Sequence, residues 1–402
     1  MAFFKQFVSI ASRKQQSRSY LDFASSTPLD TRMLRGFPQL PLDVVGANPS
    51  ALHKEGVRAK QVLSDARALV ARTLDAHTDE IIFTATATES DNLALLGSVE
   101  HFIANGILPA EIVVYRSDIE HAAVIESGAV LSDTGVLIKI LETTDGVIMP
   151  KDILVPLNTK VVVVSVMYVN NEIGSVQPIR EIAKRIRFLR KHNPEIVILF
   201  HVDATQAPLH YSLTVPQLGI DMMTLGATKL YCPKGVGLLY VRRGVALQPL
   251  LFGGGQERGL RPGTEALPLI HNFAHALSFV QTNLETYTKK IMRLQNYFEG
   301  KISEIEGVVI SIKDSPRTPH ITHIALPNFD SELMVLELDA RGIAVSAKSA
   351  CKNDADSESE IVTKLHGPQV GAVRFSFGRT TTKKDLDKAL IAIKEVLTKY
   401  SR

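Results

Sequence analysis

Between residues 80 and 241 the chain alternates short, continuously apolar runs with amphipathic stretches. The runs are Ile81–Thr84, Ile112–Arg116, Val136–Leu141, Val161–Val169, Ile196–Asp203 and Val236–Val241. They are rich in β-branched residues and lack a polar alternation, the mark of strands covered on both faces. Helical patterns such as Gln61–Leu74 and Ile179–Lys191 accompany them. Strand and helix in alternation predict an α/β domain on a mostly parallel sheet. Beyond Gly253-Gly254-Gly255 the texture changes. A helical stretch from Leu267 to Ile305 leads to shorter strands at Val308–Ile312, Ile321–Ala325, Ala344–Ser346 and Val373–Phe377. Leu386, Leu390, Ile393 and Leu397 form a period-3.6 stripe opened by Thr382 as N-cap. The pattern predicts a basic arm over 1–19, a large domain over 20–265 and a smaller α/β domain over 266–402. The start of the large-domain segment is expected to pack on the small domain.

Composition narrows the field. The 402 residues are 45% hydrophobic and 22% charged, an ordinary globular balance that excludes a disordered or collagen-like chain. The net charge of +3 lacks the basic excess of a dedicated nucleic-acid binder, so no nucleic acid is expected as partner. The most apolar stretch, Val161–Val169, is far short of the roughly 20 residues that span a bilayer. Two cysteines, Cys232 and Cys351, are no disulfide framework and suit a reducing compartment, the cytoplasm first. Residues 1–19 carry Lys5, Arg13, Lys14 and Arg18 with several serines and no acid. That composition fits a short basic arm or, alternatively, a mitochondrial transit peptide.

Four segments carry candidate chemistry. Thr84 to Ser90 runs from a strand into a helix start rich in hydroxyls, which serves either as an N-cap or as an anion site. Asp203 ends an apolar strand in His201-Val202-Asp203-Ala204-Thr205-Gln206, where it either caps the next turn or meets a cation. Lys229 lies among small and apolar residues without an acidic neighbour, the setting of a Schiff-base amine, while Lys234 fits a surface role. Cys351 stands between Lys348 and Lys352 before a polar stretch, which favours a reactive thiolate, whereas Cys232 fits the core. A lysine, an acid and a hydroxylated helix start together meet the needs of pyridoxal 5'-phosphate. No metal-ligand motif accompanies them.

With these motifs the sequence resembles the cysteine desulfurases of the class V aminotransferase group, in their order from Tyr20-Leu21-Asp22 to the last helix. The shared segments are Asn48-Pro49-Ser50 with His53, Ala87-Thr88-Glu89-Ser90, Glu120-His121, and Val169-Asn170-Asn171-Glu172-Ile173-Gly174. His201 to Gln206, Lys229 with Pro233-Lys234-Gly235, and Gly253 to Glu257 with Arg261, Gly263 and Thr264 follow. Ser349-Ala350-Cys351 and Arg374-Phe375-Ser376 through Arg379 close the series. The resemblance implies a fold type I, PLP-dependent transferase-like architecture, a seven-stranded, mostly parallel sheet in the large domain, and a homodimer. It implies that Lys229 binds the cofactor covalently, that His121 stacks on its ring and moves protons, and that Asp203 pairs with its pyridinium nitrogen. Asn171 and Gln206 would meet ring substituents. Ala87, Thr88, Thr228 and the partner subunit's Thr264 would hold the phosphate. Arg374 with Asn171 would bind the carboxylate of L-cysteine, and Cys351 would take the sulfur as a persulfide. The implied reaction makes L-alanine and hands sulfur to an acceptor or scaffold protein for iron–sulfur cluster assembly or tRNA thiolation. A selenocysteine lyase or other class V lyase, and a non-catalytic scaffold paralogue, are the alternatives. Four positions depart from the family pattern. Gly226 and Thr228 replace the Ser and His of Ser-x-His-Lys, and Thr86 and Lys348 replace glycines. The hydroxyl missing at Gly226 predicts a weakened phosphate cup, and the departures together bear on cofactor affinity, loop docking and partner choice.

Overall fold

The computed structural model describes residues 18–347, 360–368 and 370–400. They divide into a large unit, Ser26–Lys289 with Ile312–Pro319, and a small unit comprising the chain up to Ser25, Lys290–Ser311 and everything from His320. Strand β1 (Ser19–Tyr20) opens the small unit. The large unit then runs through α1 (Lys54–Leu74), β2 (Ile81–Thr84), α2 (Ala87–Ala104), β3 (Ile112–Ser117), α3 (Ala122–Asp133) and β4 (Leu137–Leu141). It continues with β5 (Val161–Met167), α4 (Ile179–His192), β6 (Val197–Asp203), β7 (Met222–Gly226), β8 (Gly237–Val241) and α5 (Leu267–Thr282).

These strands form a seven-stranded sheet in the order β2-β8-β7-β6-β5-β3-β4. Strand β8 runs antiparallel to both its neighbours, β2 and β7. The remaining pairs are parallel. Two reversals cancel, so β2 points the same way as β7, and six of the strands end on one edge. Every residue of β5 is buried, as its unbroken apolar run requires. The α/β architecture expected from the sequence is therefore the observed one.

In the small unit, α6 (Leu284–Ile302) enters from the large unit and is followed by β9 (Val309–Ile310), β10 (Ile321–Pro327), α7 (Ser331–Ala340), β11 (Ile343–Ala344), α8 (Glu360–His366), β12 (Val370–Ser376) and α9 (Lys383–Tyr400). Strands β9, β10 and β12 make an antiparallel sheet, and β1 pairs in parallel with β11. Phe298, Phe375 and Phe377 meet at ring distances of 5.0 and 5.5 Å in its core. Thr382 opens α9, with its hydroxyl and amide on Asp385.

Three expectations shift. The division falls within α6, after Lys289, and not at residue 265, because α5 lies along α1 of the large unit. The helix expected from Leu267 to Ile305 breaks at Asn283, whose amide and side-chain nitrogen both turn to Phe279 O. The strand expected at Ala344–Ser346 sits at Ile343–Ala344.

Candidate active site

The edge where the parallel strands end collects most of the expected residues of the large unit. It begins at the start of α2. Thr86, and not Thr88, is the N-cap: its Oγ1 accepts the Glu89 N–H at 3.1 Å, and its carbonyl accepts the Ser90 N–H at 3.2 Å. A helix start has four amides without intrahelical acceptors. Those of Ala87 and Thr88 therefore lead the helix, at its positive end. Glu89 is turned to Ala85 N–H at 2.8 Å and to Arg261 at 3.1 Å. Thr88 is exposed.

Gly226 ends β7 against this turn. A Cβ added there would stand 3.0 Å from Ala87 Cβ and 3.7 Å from both Ala87 N and Thr205 Cγ2. Thr205 buries an Oγ1 that has no hydrogen-bond partner. The two leading amides fit a phosphate group, and Thr205, with its unpartnered hydroxyl, packs on the same glycine through Cγ2. Thr205 is a residue the sequence reading passed over, because only burial and the missing partner mark it. Thr228 contributes by its backbone as well: its carbonyl accepts Thr27 N–H at 2.9 Å and Thr27 Oγ1–H at 3.1 Å, which fixes the turn carrying Lys229. Lys229 is half-buried there, whereas Lys234 is exposed. Thr264 lies on an exposed stretch of the same unit.

Asp203 is buried at the end of β6, and its Oδ1 accepts Thr205 N–H at 2.9 Å. Behind it, His201 is locked between Ser165 Oγ on Nδ1 at 2.9 Å and Thr224 Oγ1 on Nε2 at 3.0 Å. Burial pulls His201 down to about 4, so the ring is neutral at pH 7. Asp91, 3.6 Å from His201 Nε2, is pushed well above the usual carboxylate range by burial and by the charge of Asp203. Glu120 is pushed up to about 8, chiefly by burial, while its Oε1 accepts Ser117 Oγ–H and, at 2.9 Å, Met167 N–H. Glu120 is thus a largely neutral acid at pH 7, and burial with the charge of Asp203 disfavours the ionised form of Asp91. Neither was assigned a role from the sequence, because their protonation depends on burial.

His121 caps α3, with Nδ1 accepting Ala123 N–H at 3.1 Å. In the neutral ring the proton therefore sits on Nε2. Asn170 is fully buried; its Oδ1 accepts the N–H groups of Glu172 and Ile173, both at 2.8 Å, and its Nδ2 donates to Ile119 O at 2.9 Å. That side chain fastens the turn after β5, which carries Asn171, to the segment that carries His121. Gln206 is buried one turn past Asp203. Cys232 is buried and its thiol is pushed up to about 12, an unreactive core cysteine as expected.

Arg374 belongs to the small unit. It is buried in β12, and Nη2 donates to Asp22 Oδ1 at 2.8 Å and to Ser25 Oγ at 2.6 Å. Cys351, Lys348 and Lys352 lie outside the described residues.

The chain matches the family model for aminotransferase class-V over residues 19–389. It is 32% identical over 385 residues to the cysteine desulfurase IscS of Dictyoglomus turgidum, covering 94% of each chain. It is 33% identical over 388 residues to the IscS of Azotobacter vinelandii, covering 94% of this chain and 93% of that one. Among solved structures, a NifS-like protein superposes with a TM-score of 0.83 at 29% identity, over 95% of this chain and 99% of the other. SspA in complex with cysteine gives 0.73 at 30% identity, over 89% and 98%. An α/β enzyme of the class V aminotransferase family is thereby defined, and within that family the chain belongs to the cysteine desulfurases.

Proposed function

We propose that this chain is a homodimeric, pyridoxal-phosphate-dependent cysteine desulfurase that takes sulfur from L-cysteine onto Cys351 and passes it to an acceptor protein. The observation that carries the reading is the sheet edge of the large unit. It gathers Lys229 beyond β7, Asp203 on β6, His121 beyond β3, and an anion-ready α2 start with the unpartnered Thr205 hydroxyl. When bound, the cofactor supplies an electron sink for the substrate's α-carbon. Lys229 would hold it, and Ala87, Thr88, Thr205 and Thr228 would hold its phosphate, with the partner subunit's Thr264. Asp203 would face its ring nitrogen, and Asn171 and Gln206 its substituents.

The chain's own residues then divide the work. Arg374, buried and oriented by Asp22 and Ser25, binds the cysteine carboxylate with Asn171. His121 carries its proton on Nε2 and serves as proton carrier at the sheet edge. The Cys351 thiolate attacks the substrate sulfur, the Cβ–S bond breaks, and its electron pair takes up a proton. The sum is L-cysteine plus the Cys351 thiol giving L-alanine plus a Cys351 persulfide. A buried Cys232 and one proposed nucleophile suit a reducing compartment such as the cytoplasm. Among the described residues no helix is long and apolar enough to cross a membrane.

The test is alanine release from cysteine with a reductant present. Cys351→Ala should bind cysteine, make no alanine and carry no persulfide, while Cys232→Ala stays active. Wild-type desulfuration by Cys351→Ala would replace this reading with a lyase or selenocysteine lyase.

A further inference from the structure

Glu120 is a buried carboxylic acid directly before His121, and the reaction above does not use it. Its place in the topology gives it a task. The pairing of β3 with β5 ends at Arg116 opposite Ser165, while β5 runs on beside β6 to Met167 opposite Asp203. On the β6 side, Tyr168 N–H goes to Asp203 O at 2.8 Å. On the β3 side, Met167 N–H has run past its partner strand, and a buried N–H needs an acceptor. Glu120 Oε1 takes it at 2.9 Å and also accepts Ser117 Oγ–H at 2.5 Å. One residue earlier, Ile119 O accepts Asn170 Nδ2–H at 2.9 Å, from the turn that follows β5. The two residues before His121 are thus both fastened to β5 or its turn, and β5 is in register with Asp203.

The acid suits this place in its neutral form. Burial, helped by the charge of Asp203, pushes Glu120 up to about 8, against the hydrogen bonds from Ser117 and Met167 and the charge of Arg116. At pH 7 Oε1 is then the carbonyl oxygen that accepts two hydrogen bonds, and no second full negative charge stands near Asp203. The fastened turn ends in His121, whose Nδ1 accepts Ala123 N–H at 3.1 Å. A slip of Glu120 from β5 would therefore be passed to the imidazole.

We propose that Glu120 is a positioning residue that fastens the His121 turn to β5, so that the imidazole keeps a fixed place relative to Asp203. This rests on the reading of His121 as proton carrier. A misplacement of about 1 Å at a reacting group can cost roughly a hundredfold. In the full-length holoenzyme, Glu120→Ala should lower kcat for alanine release by roughly tenfold or more and leave KM for cysteine within about twofold. Glu120→Gln keeps the Oε1 acceptor and should recover most of kcat. Amide hydrogen exchange gives a readout apart from activity. Ala123 N–H lies in the first turn of α3 and is held by His121 Nδ1. Its exchange should be faster by roughly tenfold or more in Glu120→Ala and near wild type in Glu120→Gln, with the Val163 amide in the middle of β5 unchanged in both. Glu120→Asp is one methylene too short to reach Met167 N–H, and it carries the same expectations where Glu120→Ala does not fold.

Wild-type kcat in Glu120→Ala, or in a folded Glu120→Asp, would overturn the proposal. So would equal losses of kcat in the Ala and Gln variants, or faster exchange at Val163 as well as at Ala123, the pattern of a purely structural residue. His121→Gln is the separate arm. If it slows alanine release while Glu120→Ala is unimpaired, this inference alone fails. If it releases alanine at the wild-type rate, the premise fails and takes the inference with it.

Discussion

At the scale of single residues, Gly226 and Thr205 decide how the phosphate is held. The family pattern implies a serine at 226, and this chain has none. Thr205, whose buried hydroxyl has no partner, packs its Cγ2 against the same turn, 3.7 Å from a Cβ added at 226. A hydrogen bond to a charged group is worth about 1.5–3 kcal/mol. Thr205→Val keeps the shape and removes the donor, so it should speed cofactor loss on dialysis by roughly tenfold or more. Retention equal to wild type would remove Thr205 from the cup. Gly226→Ser is not a simple gain, because its Cβ would crowd Ala87 Cβ at 3.0 Å. Gly226→Ala should weaken cofactor retention through crowding alone, and Gly226→Ser should recover part of that loss; identical retention in both would show that the added hydroxyl finds no anion. Lys229→Ala should lose the borohydride-reducible bond to the cofactor, and Lys234→Ala should keep it. Equal reducible cofactor in both variants would overturn the assignment to Lys229. Lys229 and Asp203 were legible in the sequence because a lysine without acids and an acid ending an apolar strand are one-dimensional features. Thr205, Asp91, Glu120 and Asn170 were not, because burial and unpaired atoms exist only in three dimensions.

At the scale of elements, the strands were legible because β-branched runs have one stable use inside a covered sheet. The break at Asn283 was not, since it carries neither Gly nor Pro and rests on hydrogen bonds to Phe279 O. Nor was the purpose of Glu257 in the glycine-rich motif. Glu257 is buried and forms a two-pronged ion pair with Arg67 of α1, at 2.8 and 2.5 Å, and accepts Phe83 N–H of β2 at 2.9 Å. Arg67 also donates to Ile81 O at 2.7 Å and lies over the Phe83 ring. One pair thus joins a helix, the edge strand β2 and the loop that precedes Thr264. Glu257 and Arg258 hold left-handed φ values of 46° and 62°, a conformation that the pair's fixed geometry helps to sustain. Removing one partner of a buried pair strands the other charge, at a cost of about 3–5 kcal/mol. Arg67→Met should lower stability to denaturant by that order. A change below about 1 kcal/mol would show that Glu257 finds other partners or water.

At the scale of the whole molecule, buried titratable groups of opposite sign set the pH range in which the fold is most stable. His201, His210 and His323 are pulled by burial to about 4, 3 and 3. Each binds fewer protons folded than unfolded below its ordinary value near 6.5. Their contribution is present above about 6.5 and is lost as pH falls toward the folded values. Glu120 is raised to about 8, and Asp91 is raised well above its ordinary range, both first by burial. Those two stay protonated in the fold while the unfolded chain ionises. Their contribution is present below about 4.5 and is lost as pH rises, for Glu120 through about 8. Above 6.5 the histidine contributions are complete and Glu120 still titrates, so stability falls with rising pH. Between 4.5 and 6.5 the three histidines oppose the two acids and outnumber them. Melting temperature should therefore peak near neutral pH and decline on both sides. Glu120→Gln keeps the shape of the neutral acid and cannot ionise. It should raise the melting temperature at pH 8 relative to wild type and leave it nearly unchanged at pH 5. An alkaline limb as steep in Glu120→Gln as in wild type would show that the Glu120 carboxyl is not held protonated beneath the sheet edge.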